Sequence, residues 1–202
     1  GRGIYIVNAE TGALVFSATP AATSTTNLQV TGMADSMPGS VATLDSDGDG
    51  KTDRIYAGDT GGNIWRMDLP NATKSDWLLF KFASLGSDST LADDRRFFTQ
   101  PIVVRTINKE VTRSVVGGNT VYSYQDRPFD AVLIGSGDRN RPSSESTVRN
   151  GYFMLRDYDV MPRATNATAR DPILVSDLYD VTNDPLSVQT TVEGTLAIKA
   201  GI

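Results

Sequence analysis

The sequence predicts an all-β protein, a part of a modified β-propeller whose blades of short antiparallel strands carry long polar loop insertions. Three observations lead there. Apolar residues fall in short runs rich in Val, Ile, Tyr and Phe, separated by Gly, Asp, Asn, Ser and Pro, which is strand punctuation. Helical periodicity is hard to find anywhere along the 202 residues. Several segments also rhyme, each reading as an apolar strand, a small or acidic residue, a Gly-bearing turn and a second strand: "GIYIVNAETGALVF", "RIYAGDTGGNIWRMDL" and "AVLIGSGDRNRPSSESTVRNGYFMLRDYD".

Taken in chain order, strands are predicted at residues 3–8, 14–17, 40–44, 54–58, 63–68, 77–81, 102–105, 110–116, 131–135 and 151–156. Two of the rhyming units are preceded by a Pro and an apolar β-branched run, in "SMPGSVATLD" and "TQPIVVRTI". A repeat of about 50 to 75 residues with about four strands has the length of a propeller blade. On this reading residues 1–36 end one blade, 37–92 form a second, and 93–202 form a third with insertions. A β-sandwich with similar turns is the alternative. Two or three blades cannot close a ring, so the chain is expected to be a fragment of one propeller domain. Polar tracts at 18–32, 84–96, 138–150 and from residue 160 onward read as surface loops.

Composition removes many functions. The chain has no histidine and no cysteine, which excludes Ser-His-Asp and Cys-His catalysis, imidazole or thiolate metal sites, and disulfides. A net charge of −5, from 19 basic and 24 acidic residues without a basic run, argues against nucleic acid as a partner. No apolar stretch is long enough to span a bilayer, and no signal-peptide pattern is visible in "GRGIYIVNAETG", as expected of a fragment.

The connection between the strands 40–44 and 54–58 carries the strongest chemical signal. "LDSDGDGKTDRIY" spaces its acids as Asp45-x-Asp47-x-Asp49-Gly50-x-x-Asp53, four carboxylates in nine residues. Alternate residues of a curled loop turn toward one centre, and without a cation such carboxylates repel one another. Ca²⁺, which takes six to eight oxygens, suits this set. The expected ligands are the carboxylates of Asp45, Asp47, Asp49 and Asp53 with the backbone carbonyl of Lys51, whose ammonium is free to point outward. Mg²⁺ fits less well because it demands strict octahedral geometry. An EF-hand is excluded, because its twelfth loop place is Tyr56 and neither flank is helical.

Other motifs read as structure. "GDTGGN" lacks the spacing of a phosphate-cradling loop and is expected to be a tight β-turn. Trp65 is expected in the core, and Asp138, Arg139 and Arg141 of "GSGDRNRP" as a surface turn. Asn71-Ala-Thr and Asn166-Ala-Thr match glycosylation acceptors.

Together, "SVATLDSDGDGKTDRIYAGDTGGNIWRMDL", "AVLIGSGDRNRP", "NGYFMLRDYD" and "SDLYDVT" resemble the C-terminal propeller of PilY-type proteins, the type IV pilus biogenesis factors and tip adhesins. The order of the segments carries this likeness more than the acidic loop, which integrin-like and FG-GAP adhesive propellers also have; such an adhesive propeller module is the alternative non-enzymatic function. The resemblance implies PQQ-like blades, calcium at the loop, and export to the pilus tip, outer membrane or cell surface. It further implies minor pilins and other pilus tip proteins as partners, with host-surface molecules or other adhesin domains as further candidates. Its functional implication is calcium-dependent support of pilus extension, twitching motility and adhesion, without enzymatic activity. A fragment of a PQQ-type quinoprotein dehydrogenase is the enzymatic alternative. The presence of only two Trp residues and the absence of vicinal cysteines argue against it.

Overall fold

The computed structural model describes residues 1–87, 89–142, 147–164, 167, 168, 170–185, 187, 188 and 191. The Asn166 acceptor and the end of the chain from 192 to 202 lie outside the described residues. The protein is all-β, with eleven strands in three sheets among the described residues. The first sheet contains β1 (Ile4–Val7), β2 (Leu14–Thr19) and β3 (Asn27–Gln29). The second contains β4 (Ala42–Leu44), β5 (Arg54–Gly58), β6 (Asn63–Asp68) and β7 (Leu78–Ser84) as an antiparallel meander. The third contains β8 (Ile102–Val116), β9 (Asn119–Gly135) and β10 (Tyr152–Asp157). A two-residue strand, β11 (Ile173–Leu174), returns to pair in parallel with β7.

The second sheet is the centre of the molecule, because both of its faces are covered. One face places Ile55, Ala57, Trp65, Met67 and Leu79 against Ile4, Phe16, Ala18, Val30 and Met33 of the first sheet and its following loop. The other places Tyr56, Ile64 and Phe82 against Val132, Ile134 and Leu155 of the third. This accounts for the unbroken burial of β5 and β6, where a one-sided sheet would alternate. Three sheets therefore pack in succession, and among the described residues they do not close into the ring that a propeller requires.

The structure departs from the predicted elements in three places. The segments read as separate strands at 102–105 and 110–116 are one 15-residue strand, and the strand read at 131–135 is the end of a 17-residue one. Their hairpin pairs from Ile102–Leu133 to Val116–Asn119 and turns at Gly117–Gly118. Beyond Thr106 it is mostly exposed, so no core pattern marked it in the sequence. The polar tract 18–32 hides β3, which pairs in parallel with β2 because the Asn27 carboxamide accepts hydrogen bonds from Ser17 Oγ at 2.9 Å and Thr19 Oγ1 at 2.8 Å. The third is β11, which is too short to leave a hydrophobic pattern.

The turn between β5 and β6 is organised by one buried carboxylate. Asp59 accepts the backbone N–H groups of Gly61 and Asn63 at 2.9 and 2.8 Å, the Asn63 carboxamide, and the Trp65 indole N–H at 2.7 Å. "GDTGGN" is thus a tight turn whose acid also orients the core tryptophan. Gly62 has φ 76°, and a Cβ there would stand 2.5 Å from Gly86 Cα. Gly62→Ala therefore combines a left-handed backbone with a main-chain clash, and it is expected to lower stability by about 2 kcal/mol or more. A denaturant melt of the variant beside the parent chain measures this; an unchanged midpoint would contradict the reading.

Candidate metal loop and its buried anchor

The loop joining β4 to β5 curls as its spacing predicts. Leu44 O accepts the Asp53 N–H at 2.8 Å and closes the base, while Gly48 and Gly50 take φ of 84° and 85°. Asp45 accepts the N–H groups of Gly48 at 2.6 Å and Gly50 at 2.8 Å. Asp47 accepts that of Asp49, and Asp49 that of Lys51. These bonds turn the side chains inward, so that oxygens of Asp45, Asp47 and Asp49 all lie within 4.8 Å of one another on the exposed rim.

Two of the predicted ligands stand differently. The Lys51 ammonium does not point outward but sits 2.5 Å from Asp49 Oδ2, since it is the nearest cation to the clustered acids. Its side-chain and backbone donation hold the Asp49 carboxyl below the usual carboxylate range, and Asp49 in turn raises the Lys51 ammonium. Asp53 turns its Oδ2 onto the Ser46 N–H at 2.5 Å and stands outside the convergent set. The geometry thus assembles a three-carboxylate rim, with Asp53 and the Lys51 carbonyl carried on the same short loop.

Ser46 is the buried residue of this otherwise exposed loop, and it leads inward. Its Oγ accepts Arg54 Nε at 2.8 Å and its carbonyl accepts Arg105 Nη1 at 3.2 Å. Both arginines also hold Asp130 of β9, Arg54 through Nη2 at 2.5 Å and Arg105 through Nε at 3.0 Å. Arg54 donates further to the Tyr56 hydroxyl, which donates to Asp157 of β10 at 2.7 Å. Arg66 grips Asp68 with a two-point fork at 2.7 and 3.0 Å and also pairs with Asp157. The side chains of Arg54, Arg66, Asp68, Asp130 and Asp157 are fully shielded from solvent.

Sequence reading missed this network. The signal was present, because Arg54-x-Tyr56 and Arg66-x-Asp68 put charged or polar groups on one face of strands whose other face is apolar. Such alternation ordinarily marks a solvated face, and here the third sheet covers it. Burial, and then Asp157, push the Tyr56 hydroxyl up, so it stays protonated and available as a donor. Burial also pushes the Asp68 carboxyl up, against the opposing pull of the Arg66 fork.

The remaining predicted residues are resolved simply. Trp65 is buried in the core shared with the first sheet. Asp138 pairs with Arg96 at 3.1 Å and caps its own turn by accepting the Asn140 N–H, so "GSGDRNRP" is a braced surface turn. Asn71 stands exposed at the turn after β6, where its carboxamide donates to Asp76 and its oxygen accepts the Thr73 N–H. No helix among the described residues is long and apolar enough to cross a membrane, which leaves β-barrels unaddressed.

No family model matches the chain. Over 140 residues, 65% of its length, it is 30% identical to a type IV pilus biogenesis factor PilY1 homolog of Xylella fastidiosa, of which it spans 9%. Its fold matches the crystal structure of the Pseudomonas aeruginosa PilY1 C-terminal domain with a TM-score of 0.59 at 18% identity, covering 87% of this chain and 35% of that one. Sequence and fold together relate the chain to part of the C-terminal region of PilY-type proteins.

The buried network makes a stability prediction. Asp157→Asn keeps the shape but removes one charge from facing Arg66, and loss of a partner in a buried pair typically costs about 3–5 kcal/mol. Arg105→Gln, which removes a half-exposed guanidinium, is expected to cost about 1 kcal/mol or less. Urea unfolding of the two variants should separate them clearly; equal midpoints would mean that the network carries little of the inter-sheet stability.

Proposed function

We propose, from its likeness to PilY-type proteins, that this chain is a calcium-binding, non-catalytic segment of a type IV pilus biogenesis factor exported to the pilus tip or cell surface. In this role it supports calcium-dependent pilus extension, twitching and adhesion, with minor pilins or other tip proteins as partners. The observation that carries the calcium part is the convergence of Asp45, Asp47 and Asp49 on a loop anchored through Ser46 to a buried inter-sheet network. The donor set is all oxygen, as a hard cation requires. Asp45, Asp47, Asp49 and Asp53 would hold the ion with the Lys51 carbonyl, and the ion would supply fixed positive charge where Lys51 now supplies a mobile one.

The consequence is mechanical rather than chemical. Ser46 touches Asp53 on one side and Arg54 and Arg105 on the other, so order gained in the loop is transmitted to the seam between the second and third sheets. A ligand that binds only the folded chain stabilises it by RT ln(1 + [L]/Kd), about 2.7 kcal/mol at a hundredfold excess over Kd. For a domain of this size that corresponds to a rise of roughly 5–10 °C in Tm. A calcium-titrated melt is therefore expected to shift upward in the parent chain and to shift little in Asp47→Asn or Asp53→Ala. A parent chain indifferent to millimolar calcium would end the calcium reading.

Lys51 supplies a second, independent check. Its ammonium competes for Asp49 while its contribution as a ligand is a backbone carbonyl, which any residue offers. Lys51→Met is thus expected to tighten calcium binding several-fold, measured by calorimetric titration. Weaker binding in this variant would show that the ammonium does not oppose the ion.

A further inference from the structure

A groove of about 770 Å³ lies between β10 and the segment 173–182. Tyr152, Phe153 and Met154 all line it, and because consecutive strand residues face opposite ways, the groove must follow the strand's edge as well as one face. That edge is open: β10 is the terminal strand of its sheet, bonded on one side to β9 and on the other to no strand among the described residues.

The charges in the groove are unevenly committed. Asp93 receives Arg95 and Arg149, each at 3.0 Å, together with the Thr90 hydroxyl. Asp177 accepts the Leu174 N–H at 2.8 Å, and Asp180 accepts the Thr182 N–H at 2.9 Å. Arg95 further donates to the carbonyls of Leu85 and Arg149. Arg156 is the exception. Its Nε is buried with no acceptor among the described residues, it makes no ion pair among them, and its guanidinium lies 5.5 Å from the Phe129 ring centroid. A cation–π contact offsets part of the cost of desolvating a cation, but a buried N–H donor without an acceptor is a standing cost that a carboxylate removes.

We propose that this groove is a docking site for an extended peptide segment of a partner protein, which adds to the open edge of β10 and places an Asp or Glu side chain on Arg156. Strand addition supplies main-chain hydrogen bonds, and side-chain pockets at alternate positions supply selectivity. Charge complementarity identifies the acidic residue: every carboxylate lining the groove already has a donor, and the guanidinium lacks an acceptor. The aromatic and apolar wall of Tyr152, Phe153 and Tyr179 suits β-branched neighbours on either side of that acid. The inference does not rest on calcium, because neither Arg156 nor the groove shares a residue with the acidic loop.

The test uses the whole 202-residue chain and two end-capped hexapeptides of alternating Val and Thr, one with a central Glu and the other with Gln in its place. Binding is followed by NMR through the backbone amides of residues 152–157 and the side-chain Nε–H of Arg156. The Glu peptide is expected to shift these signals and to bind at least about tenfold more tightly than the Gln peptide, as a charged hydrogen bond warrants. Arg156→Met should erase the difference between the peptides, and Arg156→Lys should keep part of it. Three results would each overturn the proposal: equal affinity of the two peptides, no shift at millimolar peptide, or the same shifts produced by acetate alone, which would mark a small-carboxylate site. The two-peptide comparison on the parent chain needs no variant, so a folding defect in Arg156→Met leaves the test intact.

Discussion

The structure depends on a cluster of charges that water does not reach. Arg54 and Arg66 leave the second sheet, Asp130 and Asp157 leave the third, and Tyr56 bridges them. Taking ions out of water is expensive, and only dense pairing compensates for it. That requirement explains several details together: the two-point grip of Arg66 on Asp68, the backbone carbonyls of Asp159 and Met161 that absorb the remaining Arg66 donors, and the Arg163 N–H that satisfies Asp68. Apolar packing between the same two sheets is non-directional. The network adds directional bonds that tie Arg54, Tyr56 and Arg66 of the second sheet to Asp130 and Asp157 of the third.

The acidic loop is arranged around that seam. Its rim is exposed and built from short-range turns, which would leave a free-standing hairpin loop loosely ordered. Ser46 gives it a foot in the interior, where Arg54 and Arg105 hold its two oxygens. The loop's open side and its anchored side are thus one residue apart. Under the calcium-binding role proposed above, a cation at the surface would act one residue away from a contact between sheets.

The acidic loop was legible because its information is local. Turn-forming glycines and alternating aspartates act within nine residues, and Asp45, Asp47 and Asp49 converge as their spacing predicts. The strands of the second sheet were legible for a similar reason, since their Val, Ile, Tyr and Phe runs are dense and sharply punctuated. The long hairpin of β8 and β9 was only partly legible, because its outer half buries no face and leaves no period to read. The two-residue β11 and the three-residue β3 were hidden by brevity, their pairing decided by partners distant in sequence or by a single asparagine.

What the sequence by itself determined was chemistry of short range: an all-β chain, no histidine or cysteine chemistry, a tight turn at "GDTGGN", and a loop of oxygens of the kind a hard cation takes. What only the tertiary structure decided was which charges are buried. Arg54, Arg66, Asp130 and Asp157 look in sequence like any solvated strand residues, and Arg156 looks the same as they do. The burial of the first four, and of the Arg156 Nε, depends on which sheet covers which face, a long-range fact that no local pattern encodes. The cost of desolvation then turns four of them into the seam of the molecule and leaves the fifth without an acceptor at the edge of a groove.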